Sequence, residues 1–458
     1  MLRCRRSAAL GRPACREALQ RRRASHTGVA LRVGVQFVGV WLLVTLRVSS
    51  LPFGCCMGGC DGEQSFRVVS GAPVGGAAPV VLWSTANGGG AAGCASNGGL
   101  AVCPLADGTL IGLNASGGAV FALQARGASV PLVTAASLLI VSTPETVALY
   151  DAANRSTAWT SVLFPRPLGD VYGPTLSGND VLVWAWAEGR LVGFLPSGVP
   201  FGVLPLNGSA PGGGPQGVYS PVCTPPVLAG GTRMYVWTEF VGPARGDGSA
   251  WCALLAVDAR PRIVDRLALA WTAGVPCAGA RGAGGAALAG PLVLAAAAAP
   301  GSAGGLLTAF RDGGTGARIE WTRQLETRTT QVALRAGSLR ALAVDARAAV
   351  VYEVDLATGA LVRTLSVANA TGRAAVVLSA DVLVVSGAAE CDDYVLVGGT
   401  DGGAGGFVAA INATSWAALW VLPITGHPQG QLAVLNGTRG DTVVVSTSGG
   451  VFAIGRSA

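Results

Sequence analysis

The sequence predicts an all-β protein, a β-propeller of repeated four-stranded sheets. Three observations lead there. A pattern of alternating apolar runs split by glycine turns recurs every ~40–50 residues, the period range of propeller repeats. No stretch of that body carries helical periodicity, and turn residues punctuate it every ~8–12 residues. Glycine, at 68 of 458 residues, is about twice its usual ~7% share, as a chain dense in tight turns requires.

The copies run in order along the chain. The first is Asp107 to Phe121, the second Val147 to Trp159, and the third Gly189 to Leu204. The fourth starts at Ala253 and reaches Trp271, with an insert from Gly242 to Ser249 just before it. The fifth is Gly305 to Trp321, the sixth Val350 to Leu361 and the seventh Gly406 to Trp420. The eighth, Asp441 to Gly455, stops before its last strand. An orphan strand carrying Trp83, Pro79 to Thr85, precedes the first copy. The expectation is therefore an eight-bladed ring over residues 79–458, in which an N-terminal strand completes the last blade. Such closure removes edge strands that would otherwise pair with other chains. The Ala-rich stretch from Ala287 to Pro300 is expected to be a buried strand followed by a linker.

The turn Asp-x-x-Thr-Gly followed by a strand tryptophan makes the repeat more specific. Asp355 to Gly359 and Asp312 to Gly316 match it, while Asp151 and Asn412 each stand eight residues before a tryptophan. The series resembles quinoprotein (pyrroloquinoline-quinone-type) propellers. That resemblance implies that Trp83, Trp159, Trp271, Trp321 and Trp420 dock between neighbouring blades; the first, third and sixth copies lack the tryptophan. It also implies, as an alternative function, an alcohol or sugar dehydrogenase with pyrroloquinoline quinone, a calcium ion held by carboxylate and amide, and an aspartate base. Those residues have no assignable positions in the sequence. A disulfide between adjacent cysteines occurs in some such enzymes, and Cys55-Cys56 is the only adjacent pair. It precedes the first blade, where it reads as a linker staple.

Composition excludes several chemistries. All 32 basic residues are arginine, so phosphate-loop, Schiff-base and kinase lysines are absent. The two histidines, His26 and His427, leave no histidine-rich zinc site and no HExxH protease. His427 lies in a turn, Thr425 to Pro428. The Cys55-Cys56-x3-Cys60 cluster lacks a second pair at zinc spacing, and no metal site is expected. Glu390-Cys391-Asp392-Asp393 reads as a solvated loop, and Gly282 to Ala287 matches a dinucleotide fingerprint only because glycine is abundant. No catalytic residue and no cofactor is expected.

Residues 1–33 hold nine arginines and one glutamate, whereas residues 51–458 hold 22 arginines and 24 acids. The near-neutral body offers no footprint for nucleic acid. The apolar run from Val33 to Leu46 is too short for the ~20 residues of a membrane span. Residues 1–50 read as a targeting segment, a signal peptide or signal anchor, with a mitochondrial presequence as the alternative. Contact with a membrane is expected only if that segment stays uncleaved. Residues 51–78 form a Cys/Gly-rich linker.

Six of nine asparagines, Asn114, Asn154, Asn207, Asn369, Asn412 and Asn436, begin N-x-S/T sequons, where chance gives about one. This favours the secretory route, an extracellular or luminal home and N-glycosylation. An oxidising compartment also suits the cysteines. Cys94 and Cys103 flank a turn and are expected to staple a hairpin; Cys223 with Cys252 is a second candidate pair. The reading that results is a glycosylated, non-catalytic scaffold for a protein or small-molecule ligand whose identity the sequence does not contain.

Overall fold

The computed structural model describes residues 67–69 and most of 79–456. The targeting segment, Cys55, Cys56, Cys60, Cys223, Asn436 and the Gly242–Ser249 insert lie outside the described residues. The described chain is almost entirely β-strand, with one five-residue helix, Val367–Thr371, capped by Ser366 and ended by Gly372 in the left-handed region.

Among the described residues the strands form eight sheets, each built mostly from antiparallel neighbours in sequence. The first runs Ala95–Ser96, Leu100–Pro104, Thr109–Asn114, Ala119–Gln124, from inner to outer strand. The second ends on Ser156–Val162, the third on Pro200–Pro205 and the fourth on Leu267–Cys277. The fifth ends on Ala317–Leu325, the sixth on Leu361–Ser366 and the seventh on Ala418–Thr425. The eighth comprises Ala433–Leu435, Thr442–Thr447 and Gly450–Gly455, and its outermost strand is Val80–Thr85. In that pairing Trp83 stands opposite Ala453 and Ser84 opposite Phe452.

Inner and middle strands read as continuous apolar runs because both of their faces pack on neighbouring sheets. Leu292–Ala298 is buried along its whole length. The Ala-rich stretch is thus two strands, Ala283–Ala289 and Leu292–Ala298, joined at Gly290-Pro291, rather than a strand and a linker. Small side chains there let sheets approach closely. Outer strands alternate between exposed and covered positions, as in Ala317–Leu325.

Two sheets depart from the expected four strands. The fourth has a divided inner strand, Gln216–Pro221 and Val227–Leu228, flanked by Asn207–Ser209. The seventh likewise divides into Val377–Leu378 and Leu383–Ser386. Arg67–Val69, from the segment read as a linker, pairs in parallel with its inner edge, Arg67 opposite Val384.

Every outer strand carries one register shift, and in all eight sheets it falls at the same place. The residue that follows the extra one is Phe121, Trp159, Gly202, Trp271, Trp321, Arg363, Trp420 and Trp83 in sheets one to eight. A bulge re-aims one side chain out of strand alternation. Here it turns that side chain toward the next sheet, except in the third, where the position is Gly202.

Candidate functional site

The junctions between sheets hold most of the organised polar chemistry. Trp83, on the eighth sheet, lies over the turn of the first sheet and donates from Nε1 to Ala115 O at 3.0 Å. Trp321, on the fifth, does the same on the sixth, to Leu356 O at 2.9 Å. Trp159 stacks on Phe194 of the third sheet, ring centroids 6.2 Å apart. The glycines beneath these rings leave no room for a side chain. A Cβ on Gly117 would come 2.7 Å from the Trp83 ring, and one on Gly359 2.6 Å from Trp321. Both glycines also have positive φ, so the turn needs glycine twice over.

Where an acid or amide opens the turn, it holds the turn's shape. Asp355 Oδ1 accepts from the N–H groups of Ala357 and Thr358 and from the Thr358 hydroxyl. Those bonds, that of the Thr358 hydroxyl foremost, hold its carboxyl below the usual range. Asp151 is lowered in the same way, chiefly by the Asn154 backbone N–H. Asn114 Oδ1 accepts from Ser116 N–H, the Ser116 hydroxyl and Gly118 N–H, and Asn412 Oδ1 from Thr414 and Ser415 N–H. These are Asx turns, in which a short side chain replaces a backbone acceptor.

Between the fourth and fifth sheets the tryptophan reaches the acid itself. Trp271 Nε1 donates to Asp312 Oδ1 at 3.0 Å, and Tyr235 Oη and Arg233 Nη1 donate to Asp312 Oδ2 at 2.7 and 2.6 Å. Arg233 also binds Asp258 at 2.6 Å. Burial pushes the Asp312 carboxyl up, but the Gly314 N–H, Tyr235, Arg233 and Trp271 outweigh it, and the net shift is downward. Burial, and then Asp312, push the Tyr235 phenol up, so it stays a donor.

The sixth sheet uses a cation where the others, apart from the third with its Gly202, use an aromatic ring. Arg363 donates to Ala413 O at 2.6 Å and Thr414 O at 2.7 Å on the turn of the seventh sheet, with its guanidinium 4.7 Å from the centre of the Trp416 ring. Its Nε binds Glu353, which is buried and also binds Arg335. In the first sheet Phe121 fills the same place, 5.4 Å from the Tyr150 ring. Trp420 is buried against the eighth sheet, yet its Nε1 meets no partner among the described residues. The eighth sheet has no turn there, because its last two strands come from opposite ends of the sequence.

Each sheet packs on the next. Mixed apolar clusters join the first sheet to the second, the third to the fourth, and so on to the seventh and eighth; Trp159 on Phe194 joins the second to the third. A further cluster joins the eighth to the first, through Val444, Val451, Ile111 and Leu113, with Trp83 against it.

The cysteines give one agreement and one correction. Cys94 and Cys103 form a disulfide, Cα atoms 4.4 Å apart. Cys252 bonds to Cys277, not to Cys223. The fourth sheet explains it: Cys252 and Cys277 lie on adjacent strands, opposite Val275 and Ala250 respectively, which brings their Cα atoms to 5.7 Å. Of the sequons, Asn154, Asn207 and Asn369 are exposed, whereas Asn114 and Asn412 are half-buried in turns. In those two turns the amide oxygen is the acceptor, whereas Asn154 donates from Nδ2 to Asp151 Oδ2 at 2.6 Å.

Among the described residues the acids do not assemble a calcium site of the kind the resemblance implies. Among the described residues no three His, Cys, Asp or Glu side chains converge to hold a metal ion. Most of the described acids are committed elsewhere: to turns, to Arg233, to Arg335 and Arg363, and, for Glu320 and Asp401, to Arg318 and Arg373. Asp393, the described acid of the Glu390–Asp393 cluster, lies 4.0 Å from Arg335. His427 is exposed, its N–H donating to Ser448 Oγ.

No protein-family model and no curated protein matches the chain. Among solved structures, BamB from Moraxella catarrhalis is similar, with 16% identity and a TM-score of 0.53, over 83% of this chain and 100% of that one. The chain is a β-propeller. The β-propeller domain of Myceliophteria thermophila Cps50 (Swd1) is a more distant likeness, at 11% identity and a TM-score of 0.48 over 83% of this propeller chain and 100% of its own.

Proposed function

We propose that this propeller is a secreted or luminal N-glycosylated scaffold, with eight blades of quinoprotein-like type, that binds a protein or small ligand and catalyses no reaction. The observation that carries the reading is the employment of the described acids: turn-opening aspartates and arginine-paired carboxylates hold sheets together, and among the described residues none converge on a reaction centre. Eight sheets with one equivalent bulge each, and Val80–Thr85 paired with Gly450–Gly455, support the blade count and the closure. Exposed Asn154, Asn207 and Asn369 and the two disulfides support the compartment.

The test uses the protein purified from the medium of its own cells. Glycosidase treatment is expected to shift its mobility, and addition of pyrroloquinoline quinone with calcium is expected to leave a redox dye coloured with alcohols and sugars. Dye bleaching that depends on quinone overturns the non-catalytic reading. Recovery only from mitochondria, with no mobility shift, overturns the secretory one.

A further inference from the structure

Where inner strands of successive sheets meet, glutamine side chains bridge them. Gln331, on the sixth sheet, donates from Nε2 to Val382 O at 2.9 Å and accepts from Val382 N–H at 2.8 Å. Gln431, entering the eighth sheet, donates from Nε2 to Cys94 O at 3.3 Å on the first. A side-chain amide thus grips a peptide of the following sheet.

Asp381 holds the corresponding place on the seventh sheet. Thr330 N–H donates to Val344 O in the sixth sheet and Ala380 N–H to Gly398 O in the seventh, at 2.7 and 3.2 Å. The next residues are Gln331 and Asp381. Gln331 grips the residue after Asp381, and Gln431 the residue after Gly93, which packs against it. By the same step Leu432 is the residue that Asp381 would grip, and the Asp381 N–H donates to Gly430 O at 2.8 Å.

An ionised carboxylate cannot reproduce the glutamine contact, because it has no donor for the carbonyl. A protonated carboxyl has one donor and one acceptor, as the amide does. We infer that Asp381 is a proton-operated latch between the seventh and eighth sheets, engaged when its carboxyl is protonated and bonds the Leu432 peptide.

The surroundings agree. Asp381 is half-buried, and desolvation alone pushes its carboxyl up to about 6, with no described residue donating to it. The segments packed against it present Gln331 from the sixth sheet, Gly398 from its own, and Pro428, Gln429 and Gly430 from the eighth, none of them charged. Gln429 Oε1, on the facing segment, is buried without a donor. The nearest titratable group on that segment is His427, which is exposed.

The sign follows from proton linkage. The folded state binds the Asp381 proton up to a higher pH than the unfolded state, which releases it near 3.8. Stability is therefore greatest at acid pH, falls as pH rises through about 6, and stays low above it. On the secretory route proposed above, acidification tightens the junction; the melting experiment that follows does not depend on that route.

Thermal melting of the full protein between about pH 5 and 7.5 tests the latch, in a His427→Gln background that leaves the facing segment without an ionisable side chain. Asp381→Asn is expected to abolish the step near 6 and to melt higher than its parent at neutral pH. Gln331→Glu is expected to introduce a second acid-stabilised step. Hydrogen exchange at Leu432 is expected to slow on acidification, after correction for intrinsic rates, only when Asp381 is present. The latch is overturned if Asp381→Asn follows its parent at every pH, or if Leu432 protection ignores pH in both.

Discussion

Trp83 rests on Gly117: a ring from the strand that completes the eighth sheet lies against the turn of the first, 34 residues further along the chain. The hydrogen bond from its Nε1 to Ala115 O fixes the ring's orientation. Since Val80–Thr85 also pairs with Gly450–Gly455, this one strand ties the eighth sheet's ladder to the first sheet's turn.

Replacing Trp83 with alanine removes the half-buried ring and its hydrogen bond, and is expected to cost about 2–4 kcal/mol, toward the low end for aromatic truncation. Gly117→Ala is expected to be as damaging, since its Cβ collides with the ring and its φ is positive. Urea denaturation of both variants checks this; a loss below about 0.5 kcal/mol, the level of an ordinary surface change, contradicts it.

Arg363→Ala leaves Glu353 buried with only Arg335, and a loss of about 1.5–3 kcal/mol is expected. Lysine is not an adequate substitute, because the guanidinium serves Glu353, Ala413 O and Thr414 O from separate nitrogens. Denaturation midpoints that rank wild type above Arg363→Lys, and that above Arg363→Ala, are the expected result.

Non-reducing peptide maps should contain Cys94–Cys103 and Cys252–Cys277 peptides and no Cys223–Cys252 peptide. Chain entropy assigns roughly 3.5 kcal/mol to the wider loop and roughly 2.6 to the narrower. Loss of Cys252–Cys277 through a double alanine variant should therefore lower the melting temperature more than loss of Cys94–Cys103.

The turn acids predict acid sensitivity. Asp312 and Asp355 have lowered pKa values, so their stabilising effect is present above 3.8 and is lost as pH falls through the depressed values. Asparagine opens the equivalent turns at Asn114 and Asn412, which makes it the fitting replacement. Asp355→Asn is expected to keep the turn and flatten the acid limb of a melting-temperature profile. Asp312→Asn is expected to flatten it too, and to lower stability at neutral pH by loosening Arg233.

Sequon variants separate glycan from turn. Asn207→Gln is expected to remove one glycan's mass and little stability, since Asn207 is exposed on a short strand. Asn114→Gln is expected to remove the same mass and also to cost about 1 kcal/mol, because the longer side chain no longer closes the Asx turn.

Much of this was legible in the sequence because strand, turn and docking tryptophan each leave a chemical mark at fixed spacing. Trp159 stands eight residues after Asp151, Trp321 nine after Asp312, one place late for the repeat, and Cys94 and Cys103 bracket their turn. Arg363 was not legible as a docking residue. A guanidinium does the work of a ring only because Glu353 stands opposite it across the ladder and two carbonyls face it from the next sheet. Cys277 escaped notice for a related reason: strand register, not sequence distance, chose it over Cys223. The divided inner strands of the fourth and seventh sheets lack any repeat mark, and Asp381 stands out only beside Gln331 and Gln431.

The closing strand can be tested by covalent capture. Ser84 and Phe452 are register partners, so a Ser84→Cys, Phe452→Cys double variant places two thiols across the ladder. The account predicts a disulfide between the peptides holding positions 84 and 452, together with a higher melting temperature. If that peptide pair fails to form, or position 84 links only to other cysteines, strand Val80–Thr85 does not complete the eighth sheet.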